Sequence, residues 1–328
     1  MIVFLFGFTP RLILRGLPLR LARMAPDIQL KSFSIERQRL SFDGQLILSH
    51  PRLVLDDGRS EHSFSAAKLV VPNIWQALSR GRDYHMIAMD LRWTSPVFTL
   101  RAPESRHYLD LSRNKPQWQG LFRDAELEWG GLTMTQVSGQ FRHSKGSLSL
   151  HDLMGRLWGA QAHARFEVDQ FQPLHVSLTA SLNGLHPAEI QGIPGLLSRV
   201  DGPVTAEIRF KGSRNKVELL SLRFDLPARA ALSREFLEQW IRQTGQAAKK
   251  PAIVSLVSQQ DSLTTDQADF VLFDAADGQP FLSMEIISQP EQIFINESFP
   301  LIRMEDSRGG FPYHQYQLKK DDSLDTNQ

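Results

Sequence analysis

The stretch GSLSLHDLMGRLWGAQAHARFEV, Gly146 to Val168, decides the fold class. Near its end Ala162, Ala164, Phe166 and Val168 are apolar, while Gln161, His163, Arg165 and Glu167 are polar. Side chains on a strand alternate between faces, so this segment is a strand with one dry side and one wet side. Before it, Leu148 and Leu150 alternate with serines, His151–Asp152 reads as a turn, and Leu153, Gly155 and Leu157 open another alternating run. The dry side needs a partner layer elsewhere in the chain, or a guest from outside it.

The same period of two recurs along the chain. Leu46 and Leu48 alternate with Gln45, Ile47 and Ser49, and His50–Pro51 interrupts them. Ala125, Leu127 and Trp129 alternate with Asp124, Glu126 and Glu128, and Gly130–Gly131 follows as a hairpin signal. Val176, Leu178, Ala180 and Leu182 form one such set, and Val204, Ala206, Ile208 and Phe210 form another. Leu220, Leu222 and Phe224 continue the series, with Val217 and Leu219 out of phase, which predicts a bulge. Helical signals are sparse. NIWQALSRG starts at a capping Asn73. SREFLEQWIRQTG has Ser233 as N-cap, Gly245 as stop and Phe236, Leu237, Trp240 and Ile241 on one face, which predicts a helix docked on sheet or over an open end. Residues 192–202 hold one further turn, and 246–252 read as a surface linker. So few helices exclude a parallel α/β sheet and leave an antiparallel meander, either folded into a sandwich or curved with a greasy interior.

The chain has 328 residues, 22% of them charged, and a formal net charge of +1, which argues against a strongly electrostatic nucleic-acid binder. It has no cysteine, which removes disulfides, cysteine-ligated zinc and thiol catalysis. Met1 to Phe8 is apolar but far short of the ~20 residues of a membrane span. Arg11, Arg15, Arg20 and Arg23 follow among leucines. Three readings stand: the tail of a truncated membrane anchor, an interfacial amphipathic segment, or a helix packed on the sheet end. The charges follow the apolar run, unlike a secretory signal.

SLSLHDLMGRLWGAQAHARFEV resembles the repeating unit of the AsmA-like proteins: a short strand, a tight turn, a Leu-x-Gly-x-Leu-Trp-Gly strand (Leu153, Gly155, Leu157, Trp158, Gly159) and a third alternating strand. Residues 34–100 are similar to the family's N-terminal region, and SLNGLHPAEIQGIPGLLSRVDGPVTAEIRFKG resembles a further unit. The resemblance covers roughly two thirds of the chain and weakens after Gly245. It implies a mainly β protein, a curved, largely antiparallel, taco-like β-groove with a few short helices. It also implies a periplasmic, inner-membrane-associated protein of the envelope of double-membraned bacteria, one that moves phospholipid between membranes or supports outer-membrane assembly, and no enzyme. Four segments follow: 1–26 as membrane-associated or truncated anchor, 27–245 as AsmA-like groove, 246–318 as a β-rich region able to continue the groove, and 319–328 as disordered tail.

The candidate site is therefore the dry face, with Leu148, Leu150, Ala164, Phe166, Val176, Leu178, Ile208 and Leu222 lining it for acyl chains. Acyl burial at about 0.8 kcal/mol per CH₂ needs no head-group motif. Phospholipid or another acyl lipid, the inner membrane through the N-terminus and envelope proteins are the implied partners; nucleic acid is not. The alternative is a scaffold module with a closed β core that recruits partners by strand addition. No cofactor, metal or catalytic residue is expected. His143, His163 and His175 fall on neighbouring strands without metal-ligand spacing and read as exposed. Asp124, Glu126 and Glu128 read as one solvated strand face, and no nucleophile or phosphate-loop motif occurs.

Overall fold

The computed structural model describes residues 29–56, 61–74, 83–95, 98–110, 117–129, 131–144, 147–171, 174–190, 193–213, 216–244, 251–259, 261–305 and 314–319. The N-terminal basic segment, most of the helix at Asn73 and the tail beyond Lys319 lie outside them. The described residues are mainly β, with nineteen strands in one antiparallel sheet that is not closed, and two α-helices. The mainly β, antiparallel expectation is met. The described residues form two compact units: those within Met1–Trp129, Thr133–Gly155 and Arg165–Val176, and those within Gly130–Leu132, Arg156–Ala164 and Ser177–Gln328.

The first unit opens with six short strands and continues as a meander of long ones. β1 (Gln29–Ser34) and β2 (Arg37–Leu40) run along β3 (Leu46–Ser49) and β4 (Arg52–Asp56), with Gln38 opposite Leu48 and Phe33 opposite Leu53. β5 (Glu61–Ser65) and β6 (Lys68–Val71) pair with β4 and β3, and both then pair with β7 (Asp83–Thr94). β8 (Phe98–Asp110), β9 (Gln117–Trp129) and β10 (Leu132–Ser144) follow in turn, and β11 (Ser147–Leu157), β12 (Ala160–Phe171) and β13 (Leu174–Leu185) belong to the same sheet.

A line of kinks crosses this unit. The buried positions of β8 are Phe98, Leu100 and Ala102, then Ser105 and His107; the alternation loses one step at Pro103–Glu104. On β9 it loses one between Phe122 and Ala125, and on β7 between Ala88 and Leu91. The strands stay in register across these steps, because Met89 faces Glu104 and Leu91 faces Ala102. Asp90 therefore lies opposite Pro103, and Pro103 opposite Asp124. On the other side Ala67 N–H donates to Met89 O and His50 N–H to Ala67 O, which carries the line to His50. His50, Asp90 and Asp124 have φ of 48°, 51° and 50°. β7 and β9 thus bend through a left-handed residue, as β10 does at Gln136 (φ 53°), and the apolar side faces inward both before and after the bend. Short polar side chains tolerate that conformation, whereas a β-branched residue does not. Asp152 (φ 53°) does the same inside β11, so the predicted turn at His151–Asp152 is a kink within one continuous strand. We expect Asp124→Val to cost about 1–2 kcal/mol and Asp124→Gly to cost nothing measurable, read as urea midpoints; equal midpoints for the two would contradict a backbone origin.

The second unit continues the antiparallel pattern. β14 (Val204–Ser213) and β15 (Lys216–Asp225) form a hairpin whose register shifts between Lys211 and Gly212, where the phase break at Val217 and Leu219 predicts a bulge. An insertion follows, with β16 (Ala231–Ser233), α1 (Arg234–Thr244), α2 (Pro251–Gln259) and β17 (Ser262–Thr264), in which β16 pairs with β17. The sheet resumes with β18 (Gln267–Ala275), β19 (Phe281–Ser288), β20 (Ile293–Glu305) and β21 (His314–Leu318), each paired to the one before, and β18 pairs back onto β15.

Helix α1 starts as expected: Phe236 N–H donates to Ser233 Oγ at 3.3 Å. Phe236, Leu237 and Trp240 are buried, and the Phe236 ring meets Phe270, an inner-face residue of β18, edge-on at 5.7 Å. Burial of each such side chain contributes about 1.5–3 kcal/mol, so the helix is held by its contact with the sheet and not by its propensity. Its predicted stop, Gly245, lies outside the described residues. Helix α2 corrects the sequence reading, which placed a linker through Ala252: Pro251 is its first residue, where a missing N–H costs nothing.

Candidate functional site

Each unit has a dry strand side built by alternation, and each of the eight sequence-predicted residues lies on the dry side of its own unit. Leu148, Leu150, Phe166 and Val176 belong to the first unit; Ala164, Leu178, Ile208 and Leu222 belong to the second. All eight are shielded from solvent by the chain itself, the most accessible being Ala164 and Leu178 at 7%. The dry side of the opening stretch has protein neighbours: Phe166 lies 5.9 Å from Phe98 and 5.6 Å from Trp129, ring centre to ring centre. In the second unit Phe236 covers Phe270, and the 3₁₀ turns Pro187–Glu189 and Leu197–Arg199 bring in the buried Ile190, Leu196 and Leu197.

The first unit's interior also holds a cluster that sequence reasoning missed. Trp93 on β7 and Trp118 on β9 lie 5.3 Å apart, Phe64 on β5 meets both, and Phe141 on β10 lies 5.0 Å from Trp118. Rings from strands two or more apart touch one another, so the inner face curls around its own aromatic side chains. His107 on β8 stacks on Trp118 at 5.7 Å, with Ser105 Oγ 2.8 Å from its Nε2. The signal was present but out of phase: His107 and Trp118 lie beyond the kinks at Pro103 and Asp124, so a pattern extended from Leu100 or Leu127 puts them on the wet side.

Burial pushes the His107 imidazole down to about 4 from an ordinary 6.5. His143 is pushed down as well, by burial first and by neighbouring His62 second. His143 therefore corrects the reading of three exposed strand histidines, since it packs 6.5 Å from Trp118; His163 is exposed as expected and His175 is half-buried. Burial favours the neutral form of both rings in the folded chain. As pH falls below about 6.5 the unfolded chain takes up the His107 proton first, so folding loses stability down to about pH 4. His107 alone accounts for roughly 3 kcal/mol of this loss. We expect His107→Phe to flatten the pH dependence of the urea midpoint between pH 6.5 and 4; an unchanged slope would place the titration elsewhere.

A second polar cluster closes the C-terminal end of the inner face of the second unit. Asp274 occupies an inner position of β18 with its side chain only 2% exposed. Arg303 on β20 donates from Nε to both its carboxylate oxygens at 3.0 Å, and Tyr316 on β21 donates its hydroxyl at 2.8 Å. Arg303 Nη2 also reaches the carbonyls of Ala275 and Gly278 in the turn between β18 and β19. Hydrogen bonding to Asp274 raises the arginine further, and burial raises the tyrosine, so the guanidinium stays charged and the phenol neutral at ordinary pH.

The glycines singled out by the repeat sit where protein atoms come close. A Cβ on Gly155 would stand 2.8 Å from Thr135 O, and one on Gly159 (φ 72°) would stand 2.6 Å from Glu189 Oε2. The acidic strand face behaves as predicted, with Asp124 and Glu128 exposed and Arg101 3.3 Å from Glu126. Among the described residues no group of three or more metal-ligating side chains occurs, and no helix is long and apolar enough to cross a membrane. No family model, curated protein or solved structure matches the chain.

Proposed function

We propose that this chain is a section of an AsmA-like β-groove that takes acyl lipid onto its inner face and supports lipid transport between membranes or outer-membrane assembly. On this reading it works in the periplasm and is attached to the inner membrane through its N-terminal segment. The observation that supports it is the pairing pattern. From β7 to β9 in the first unit, and through β14, β15 and β18 to β21 in the second, the strands pair in chain order and one side stays apolar from strand to strand; what covers that side is aromatic side chains in the first unit and 3₁₀ turns and a helical insertion in the second. A sandwich would cover it with the strands of a second sheet. Side chains and a short helix are displaceable covers, and an acyl chain replaces them at about 0.8 kcal/mol per CH₂ buried.

The complete shielding of the eight lining residues favours a second reading, a scaffold whose core is closed and whose edges add partner strands. One experiment separates the two. Native mass spectrometry of gently purified protein should show adducts with the mass of acyl lipids that delipidation removes without unfolding. A protein that carries no lipid and takes up none from vesicles leaves the scaffold reading. Val176→Glu sharpens the contrast: on the groove reading it depletes the lipid adducts of a folded protein, and on the scaffold reading it unfolds the chain.

A further inference from the structure

We propose that Trp93, Trp118 and His107 form a site for the oxygen-bearing end of an acyl chain, a carboxyl or an ester carbonyl. The inference rests on the lipid reading above and adds the place where the polar end of the guest is held. Trp93 Nε1, Trp118 Nε1 and His107 Nδ1 are buried and have no hydrogen-bond partner among the described residues. The rings that carry them meet, at 5.3 Å between Trp93 and Trp118 and 5.7 Å between His107 and Trp118.

The two indole nitrogens are donors only. Where the Ser105 hydroxyl donates to His107 Nε2, 2.8 Å away, the second ring nitrogen carries the proton and becomes a third donor. Buried donors without an acceptor are rare in folded proteins, and each one left unmade costs stability. A carboxyl or ester oxygen supplies the missing lone pairs; a hydrocarbon chain alone does not. The surrounding walls, Phe64, Phe98 and Phe141, suit the methylenes that follow such a group. Phe141 packs against all three donor-bearing rings, at 6.1, 5.0 and 5.3 Å, so a guest's carbonyl end reaches them only as that ring shifts.

The test titrates the full chain with dodecanoic acid, methyl dodecanoate and dodecane, read by calorimetry and by tryptophan fluorescence. The acid and the ester should bind about ten-fold more tightly than the alkane, a preference that falls close to unity in Trp93→Phe/Trp118→Phe while alkane binding persists. Trp118→Phe alone, at a half-buried position, should show a partial loss with an unchanged circular dichroism spectrum. Equal affinities for the three probes in the wild type overturn the inference and leave the lipid reading standing, as would a site that holds only water. Absence of binding by all three removes both. Dihexanoyl phosphatidylcholine as a fourth probe identifies the source: tryptophan-dependent binding assigns a phospholipid ester, and binding of the acid alone assigns a free fatty acid.

Discussion

Arg303→Met should destabilise the protein by about 3 kcal/mol, a loss set by the buried partner it leaves behind and not by Arg303 itself, which lies at the surface. The reason is what stays behind. Asp274 sits on the apolar side of β18 with 2% of its side chain exposed, and Arg303 supplies its counter-charge. Methionine fills a similar volume but strands a carboxylate that keeps one donor, the Tyr316 hydroxyl. The carbonyls of Ala275 and Gly278 lose a partner in the same step. Tyr316→Phe removes one neutral donor and should cost about 1 kcal/mol. Asp274→Leu combined with Arg303→Met should recover much of the single-variant loss, because no carboxylate is then left without its counter-charge on the apolar side. Urea denaturation of the four variants checks the set. Hydrogen exchange should locate the damage in β18 to β21, since Arg303 ties β20 to the β18–β19 turn and Tyr316 ties β21 to β18. A double variant no better than Arg303→Met would mean that the clasp acts through the turn carbonyls and not through the charge.

Neither partner of that clasp was legible in the sequence. Asp274 follows Phe270 and Leu272 at the spacing of an inner residue, and an aspartate there reads as the end of a strand. Only the pairing of β20 with β19 and β21 shows which arginine, twenty-nine residues on, reaches it. Alternation between kinks was legible, because a period of two depends on neighbouring residues alone; Ala162, Ala164, Phe166 and Val168 are buried as read. Alternation across a kink was not. A left-handed residue shifts the phase by one position, so Leu148, Leu150 and Leu153 share a face although their spacing is two and then three. That shift hid His107 and Trp118, and with them the polar part of the interior. The cover on the inner face was half legible: helix α1 announces itself through Ser233 and its apolar stripe, whereas the ring contacts of Phe98, Trp129 and Phe166 arise only when distant strands curl towards each other.

Gly120→Ala is the corresponding test of the first unit, and it should cost about 3 kcal/mol. Gly120 faces His107 across β8 and β9, on the inner side. A methyl group there runs into the carbonyl oxygen of Arg106 and comes within 2.5 Å of Phe141 Cε1. The ring lies over the glycine from β10, so the absent side chain is what allows Phe141 to reach Trp118, Trp93 and His107. The two obstacles can be separated. Phe141→Leu in the Gly120→Ala background removes the ring contact but leaves the carbonyl, so it should return only part of the loss. Gly278→Ala, whose Cβ would have its nearest neighbour at 3.9 Å, should stay within about 0.5 kcal/mol of wild type and so excludes a general penalty for removing glycine from the chain. Chemical denaturation followed by tryptophan fluorescence reports both stability and the environment of Trp93 and Trp118. A Gly120→Ala protein with an unshifted midpoint and an unchanged emission maximum would show that β8, β9 and β10 have room to separate, and the close aromatic packing over Gly120 would then not be what fixes the interior.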